Sequence, residues 1–222
     1  IAAGALDEVN NIIKPGVSTS EIDKLCYEFI NDHKAFSAPL YYRGYPKSCC
    51  TSSNHVVCHG IPSEKILNDG DILNVDVTAI KDGWHGDTSR MFVVGECSVK
   101  AKKLIKTTYE AMMEAIKIIK ANIKIGNIGY TIQKIVEAEG FSVVRDFCGH
   151  GIGKKFHESP NVLHYGEKNS GQELKAGMIF TVEPMINYGK FETKTLKDGW
   201  TAVTKDKSLS AQFEHTVGVT KE

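Results

Sequence analysis

The chain has 222 residues, and 27 Lys and Arg are balanced by 27 Asp and Glu, so its formal net charge is zero with histidine neutral. This length supports a real core, and 41% hydrophobic with 24% charged residues excludes disordered and fibrous classes. The charge balance argues against a dedicated nucleic-acid or anionic-membrane binder, and no run approaches the ~20 apolar residues that span a bilayer.

Residues 1–13 place Ile1, Ala5, Val9, Ile12 and Ile13 near helical spacing, and Lys14-Pro15-Gly16 ends that helix. Ser18-Thr19-Ser20-Glu21 has the form of a capping box, opening a helix with Ile22, Leu25, Cys26, Phe29 and Ile30 on one face. Residues 38–53 break into an aromatic, Gly/Pro-punctuated segment. Val56 and Val57 then begin a short strand leading to His59-Gly60-Ile61-Pro62. Residues 71–80 and 88–94 predict a hairpin about Lys81-Asp82-Gly83-Trp84. A long helix over 99–121 has Leu104, Ile105, Tyr109, Met112, Met113, Ile116 and Ile119 as its apolar face, and a further helix covers 128–139. A strand near 142–144, a Gly-rich stretch at 149–153 and two strands near 178–186 and 212–220 follow, with a polar hairpin region between the last two.

Ile13-Lys14-Pro15-Gly16, followed by Ile22 and Lys24, returns as Ile123-Lys124-Ile125-Gly126, followed by Ile132 and Lys134, at one constant offset (123 against 13). Two α/β halves facing one another would make a cleft at their junction. With no Ser/Gly-rich linker between them, one α+β unit over 1–222 is expected, with halves of about 1–97 and 98–222. The six cysteines include no C-x-x-C pair and read as reduced thiols of a cytoplasmic protein.

The chemistry rests on acids set in apolar strands. With Asp82-Gly83 as a two-residue turn, Thr78 faces Asp87, and Asp76 lies diagonally across on the same face; a three-residue loop would reverse that parity. Two carboxylates converging amid Val and Ile repel each other unless a cation or proton intervenes. Glu183, in Thr181-Val182-Glu183-Pro184, and Glu214, in Gln212-Phe213-Glu214-His215, are acids of the same kind. His150 would add an imidazole between small glycines. If all five converge, the oxygen-rich set suits two divalent ions rather than a thiolate zinc site. Gly149-x-Gly151-x-Gly153 is a poor nucleotide loop, because Pro160 breaks the helix such a loop needs. His33, His55 and His164 read as surface or loop residues. Spacing alone leaves His59 and His157 between core and catalytic roles.

Val57-Cys58-His59-Gly60-Ile61-Pro62, Asn74-Val75-Asp76-Val77, His85-Gly86-Asp87-Thr88-Ser89-Arg90, Cys148-Gly149-His150-Gly151, Phe156-His157-Glu158, Thr181-Val182-Glu183-Pro184-Met185 and Gln212-Phe213-Glu214-His215-Thr216 closely resemble bacterial type I methionine aminopeptidases, in order and along nearly the whole chain. The resemblance implies the pita-bread fold, two pseudo-symmetric α/β halves around a central antiparallel sheet. It implies removal of the N-terminal methionine from nascent chains with a small second residue, by hydroxide activated at a dinuclear metal centre of Mn, Fe(II), Co or Zn. Asp76, Asp87, His150, Glu183 and Glu214 are then the metal ligands, with Asp87 and Glu214 bridging. Glu183 shuttles the proton, His157 stabilises the oxyanion and His59 binds the substrate peptide. Tyr42, Tyr45, Cys50, Phe156 and Trp200 fall where the family builds its methionine pocket. Two departures lie at the pocket rim: Pro39, where many members have Cys, and Arg43, where many have His. The implied partners are nascent N-termini at the ribosome, met by a monomer with no membrane or nucleic-acid motif. A proline-specific aminopeptidase or prolidase of the same fold is the alternative; those usually carry a large preceding domain. A type II methionine aminopeptidase would have a helical insertion where only 161–177 stand.

Overall fold

In this computed structural model, which describes residues 1–220, helix α1 (Ala2–Ile12) buries Ala2, Ala5, Leu6 and Val9 along one stripe. Helix α2 (Thr19–Asp32) starts at the expected capping box: Ser18 Oγ accepts the Glu21 N–H at 3.2 Å, and the Glu21 carboxylate accepts the Ser18 N–H at 2.7 Å. The second half repeats the pairing with α3 (Val99–Lys117) and α4 (Gly126–Ala138). The strands are β1 (Phe36–Ser37), β2 (Cys50–Ser53), β3 (Val56–Cys58), β4 (Ile72–Lys81), β5 (Trp84–Val93), β6 (Ser142–Val143), β7 (Gly149–Gly151) and β8 (Glu158–Val162). They continue with β9 (Ile179–Val182), β10 (Met185–Asn187), β11 (Thr193–Thr195), β12 (Ala202–Thr204), β13 (Ser210–Gln212) and β14 (Glu214–Gly218).

Eight strands form one antiparallel sheet in the order β1-β4-β5-β14-β9-β7-β8, with β2 also paired to β4. Two three-stranded sheets, β13-β10-β6 and β11-β12-β3, flank it. Period-two alternation decides what each face does. Leu73, Val75 and Val77 of β4 are fully buried in a core shared with α1 and α2, while Phe180 and Val182 of β9 are buried in a second core with α3 and α4. The alternate residues of the same strands, Asp76, Thr78 and Thr181, therefore point to the other face. The hairpin register is the one a two-residue turn demands: Thr78 pairs with Asp87 and Asp76 with Ser89. Asp82 (φ 51°) and Gly83 (φ 80°) both take the left-handed backbone of a type I′ turn.

Two expectations need correction. Helix α3 ends at Lys117 rather than near 121, and its buried stripe is made largely of small residues, Ala101, Thr107, Thr108, Ala111 and Ala115, around Leu104 and Met112. Small side chains let the helix lie close to its neighbours, which pushes Ile105, Met113 and Ile116 to the flank and leaves Tyr109 exposed. The strands expected near 178–186 and 212–220 are each split between two sheets. Pro184, which lacks an N–H, separates β9 from β10, and Phe213 separates β13 from β14.

Candidate functional site

A cavity of about 570 Å³ opens on the polar face of the large sheet. All twelve residues selected from the sequence line it: Asp76, Asp87, His150, Glu183, Glu214, Tyr42, Tyr45, Cys50, His59, Phe156, His157 and Trp200. A larger hollow beside α1 and α3, about 860 Å³, gathers no such set of acids.

Asp76 and Asp87 project from the middle of the β4–β5 hairpin. Glu183 and Glu214 stand at the two strand breaks, where β9 ends and β14 begins. The antiparallel order β5-β14-β9 sets these strands side by side, so acids more than 100 residues apart become neighbours. His150 enters from β7, which is pressed between β9 and β8. A Cβ on Gly149 would lie 2.3 Å from the Thr181 carbonyl oxygen, and one on Gly151 would lie 2.2 Å from that of Ser159. Only glycine permits that approach, and the Gly-His-Gly spelling of the strand follows from it.

The acids meet closely. One ligand atom each of Asp87, His150 and Glu214 lies within 4.8 Å of the others. His150 Nε2 is 3.8 Å from Asp87 Oδ2 and 3.6 Å from Glu183 Oε1. Asp87 and Glu214 are 6% and 2% exposed, while Asp76 and Glu183 keep a small edge open to the cavity. Burial, and then mutual repulsion, pushes Asp76 up to about 7 and Glu183 up to about 8, and drives Asp87 and Glu214 well above the carboxylate range. Two hydroxyls work against this rise, Thr78 donating to Asp87 at 2.6 Å and Thr181 to Glu183 at 2.7 Å.

This arrangement fits divalent cations on the protein's own geometry. His150 Nδ1 lies 3.1 Å from the Gly151 carbonyl, which can only accept, so Nδ1 carries the proton and Nε2 turns a lone pair toward two carboxylates. Burial keeps that ring below its ordinary pKa, hence neutral. A carboxyl proton could bridge to that lone pair only at hydrogen-bond distance, which 3.6 and 3.8 Å exceed, so the arrangement calls for positive charge among the oxygens. No lysine or arginine among the described residues supplies it, and Asp76 Oδ1 is buried without a partner.

Around the acids the wall is aromatic. His157 Nδ1 meets the Tyr42 hydroxyl at 3.0 Å; the residue keeps an exposed edge, and partial loss of water around the ring, the crowding imidazole of His150 and the Arg43 charge lower it to about 3. His59 sits edge-on to Phe147 and Trp200, and burial lowers it too. The Tyr45 hydroxyl shares its proton between the carbonyls of Cys49 and Gly60, and Tyr45 meets Trp200 edge-on at 5.2 Å.

Sequence reading missed two residues that hold the site. His164 is 1% exposed rather than a surface residue, and its Nε2 accepts the Glu183 N–H at 3.1 Å. Thr181 accepts the His150 N–H at 3.0 Å while donating to Glu183. A threonine two residues before a candidate acid, on the same strand face, was the available signal for the second.

The profile of metallopeptidase family M24 matches residues 1–221. The methionine aminopeptidase of Rickettsia prowazekii (strain Madrid E) is 56% identical over 223 residues, spanning 100% of this chain and 86% of the relative. Its counterpart from Escherichia coli (strain K12) is 56% identical over 222 residues, 99% of this chain and 84% of the relative. The crystal structure of the Rickettsia prowazekii methionine aminopeptidase superposes with a TM-score of 0.99, at 56% identity, covering 100% of this chain and 90% of that one. The prolidase from Pyrococcus furiosus, at 22% identity and a TM-score of 0.76 over 99% of this chain and 58% of its own, shares the fold alone. With the pita-bread architecture and full-length identity in agreement, the chain belongs to the methionine aminopeptidases of metallopeptidase family M24.

Proposed function

We infer that the protein is a metal-dependent methionyl aminopeptidase, removing the N-terminal methionine from peptides and nascent chains whose second residue is small. The observation that carries this reading is the cluster of Asp87, His150 and Glu214 beside Asp76 and Glu183, gathered in one aromatic-walled cavity. These five residues would hold a pair of divalent ions, and a mixed carboxylate–imidazole set accepts Mn(II), Fe(II), Co(II) or Zn(II). Bound ions of this kind supply Lewis acidity, lowering the pKa of a water and polarising a carbonyl.

The chain's own residues do the rest. The Glu183 carboxyl, steadied by Thr181 and by the backbone bond to His164, takes a proton from the attacking water and returns it to the leaving amine. His157 Nδ1 pairs with the Tyr42 hydroxyl, and in the tautomer where that hydroxyl donates, neutral His157 carries its proton on Nε2 and bonds the carbonyl oxygen as charge develops there. His59 bonds the peptide beyond the scissile bond. Tyr42, Tyr45, Cys50, Phe156 and Trp200 enclose the methionine side chain, whose thioether gains polarizable contacts from rings and a thiol. The halves 1–97 and 98–222 act as one catalytic unit, because the central sheet takes strands from both. Six unpaired thiols suit the cytoplasm, where the working form in this reading is a monomer that meets nascent chains at the ribosome.

Stripped protein reconstituted with Mn(II), Fe(II), Co(II) or Zn(II) is expected to release Met from Met-Ala-Ser and to leave Ala-Pro-Ala intact. Asp87→Ala and Glu214→Ala should abolish metal uptake. Full activity under thorough chelation, or preference for Ala-Pro-Ala, would overturn the reading.

A further inference from the structure

We propose that Arg43 is a specificity-determining residue, its guanidinium recognising a carboxylate on the third or fourth residue of the substrate. The proposal rests on the aminopeptidase reading and deepens it. Among the described residues lining the cavity, Arg43 is the single Lys or Arg. It is exposed and enters no ion pair among the described residues; its guanidinium carbon lies 5.3 Å from the centre of the Tyr42 ring.

The position of Arg43 relative to the acids follows from a run of stacked groups. The His157 ring is 4.1 Å from that of His150, Tyr42 stacks on His157 at 5.2 Å, and Arg43 caps Tyr42. The run leaves the interior: His150 is buried, Tyr42 is half-buried, and His157 and Arg43 are exposed. A substrate whose amine lies at the acids and whose first side chain rests against Tyr42 can leave past the outer edge of that ring, beside Arg43. An extended chain advances ~3.4 Å per residue, so its third and fourth residues lie roughly 7 and 10 Å from the first, and their side chains together with the long Arg43 side chain span the remainder of the run. The backbone supports a placed side chain. Arg43 holds φ 50°, ψ 27°, a left-handed conformation uncommon for a residue other than glycine, asparagine or aspartate, and it precedes Gly44 at φ 89°.

The metal-reconstituted enzyme would be assayed on C-terminally amidated Met-Ala-Asp-Ser, Met-Ala-Ser-Asp, Met-Ala-Asn-Ser and Met-Ala-Lys-Ser, with Met-Ala-Ser as free acid and amide. The free-acid pair separates a terminal carboxylate from a side-chain one. The effect is read as a ratio of kcat/KM between peptides, so a general loss of activity cancels. We expect the better acidic peptide to exceed the Lys peptide by roughly two- to fivefold, the size of an exposed ion pair. The difference should fall in KM and shrink at high salt. Arg43→Lys should keep the sign, Arg43→Ala should bring the ratio to about one, and Arg43→Glu should invert it. A ratio near one in the unaltered enzyme, or one unchanged in Arg43→Glu, overturns the proposal while leaving the aminopeptidase reading intact. Failure to cleave the Asn peptide at all would defeat that reading, and the proposal with it.

Discussion

Thr181 is fully buried, accepts one hydrogen bond and donates another, and both lead to residues expected to bind metal. In Thr181→Val the shape is kept, the Glu183 carboxyl loses its donor and the His150 N–H loses its acceptor. Removing a partner that orients a metal ligand typically costs about 10- to 100-fold in metal affinity, and an unpaired buried group costs about 1–3 kcal/mol. Calorimetric titration with Mn(II) or Co(II) should show that loss of affinity, and an unchanged dissociation constant would refute the role given to this hydroxyl. At this scale the sequence revealed the acids but not their supports. An aspartate or glutamate among Val and Ile is anomalous and draws notice, whereas a threonine in a strand is ordinary. His164 was hidden for the same reason, because its loop surroundings gave no sign of the burial that lowers it to about 3.

Among the elements, the β4–β5 hairpin was the most legible. The Asp82-Gly83 turn sets the register locally, and the register sets which face Asp76 and Asp87 share. Gly83 sits at φ 80° with open space around it, so Gly83→Ala meets no clash and only the backbone penalty, roughly 1–2 kcal/mol for a left-handed residue. Urea unfolding should show a loss of that order, with Met release retained because the turn is exposed; unchanged stability would show that the turn does not hold this backbone. The strands about Pro184 and Phe213 were less legible. Pro184 offered a local sign of its break that was passed over, whereas at Phe213 only the division of pairing partners between two sheets shows where one strand ends and the next begins. In α3 the large apolar residues marked the right side of the helix, with Leu104 and Met112 at its centre, but not the alanines and threonines that close packing buries beside them.

For the molecule as a whole, the site couples stability to pH. Asp76 and Glu183, at about 7 and 8 in the folded chain, lie above the ~4 of an unfolded carboxylate. The folded state therefore holds more protons than the unfolded state up to about pH 8, and these acids make stability fall as pH rises. Below about pH 6.5 the lowered histidines, His59, His150, His157 and His164, act in the opposite direction, because the unfolded chain then binds the extra protons. The unfolded histidines finish losing their protons about one unit above 6.5, so the acids dominate from about pH 7 and are nearly alone from about pH 7.5 to 8. The thermal midpoint of metal-free protein should drop across that range, and Mn(II) or Co(II) should flatten the drop by supplying the missing positive charge. A midpoint that stays level or climbs without metal would contradict this account.

Local chemistry in the sequence determined the caps, the turn, the alternation of faces and, through motifs resembling a known family, the residues to watch. Each of these depends on residues only a few positions apart, and steric and hydrogen-bonding rules act at that range. Tertiary structure alone decided that β14 lies between β5 and β9, that Thr181 and His164 brace Glu183, and that Arg43 caps the Tyr42 ring without an ion-pair partner among the described residues. Those outcomes depend on which distant strands share hydrogen bonds and which side chains lose water, and neither is written in any short stretch of the chain.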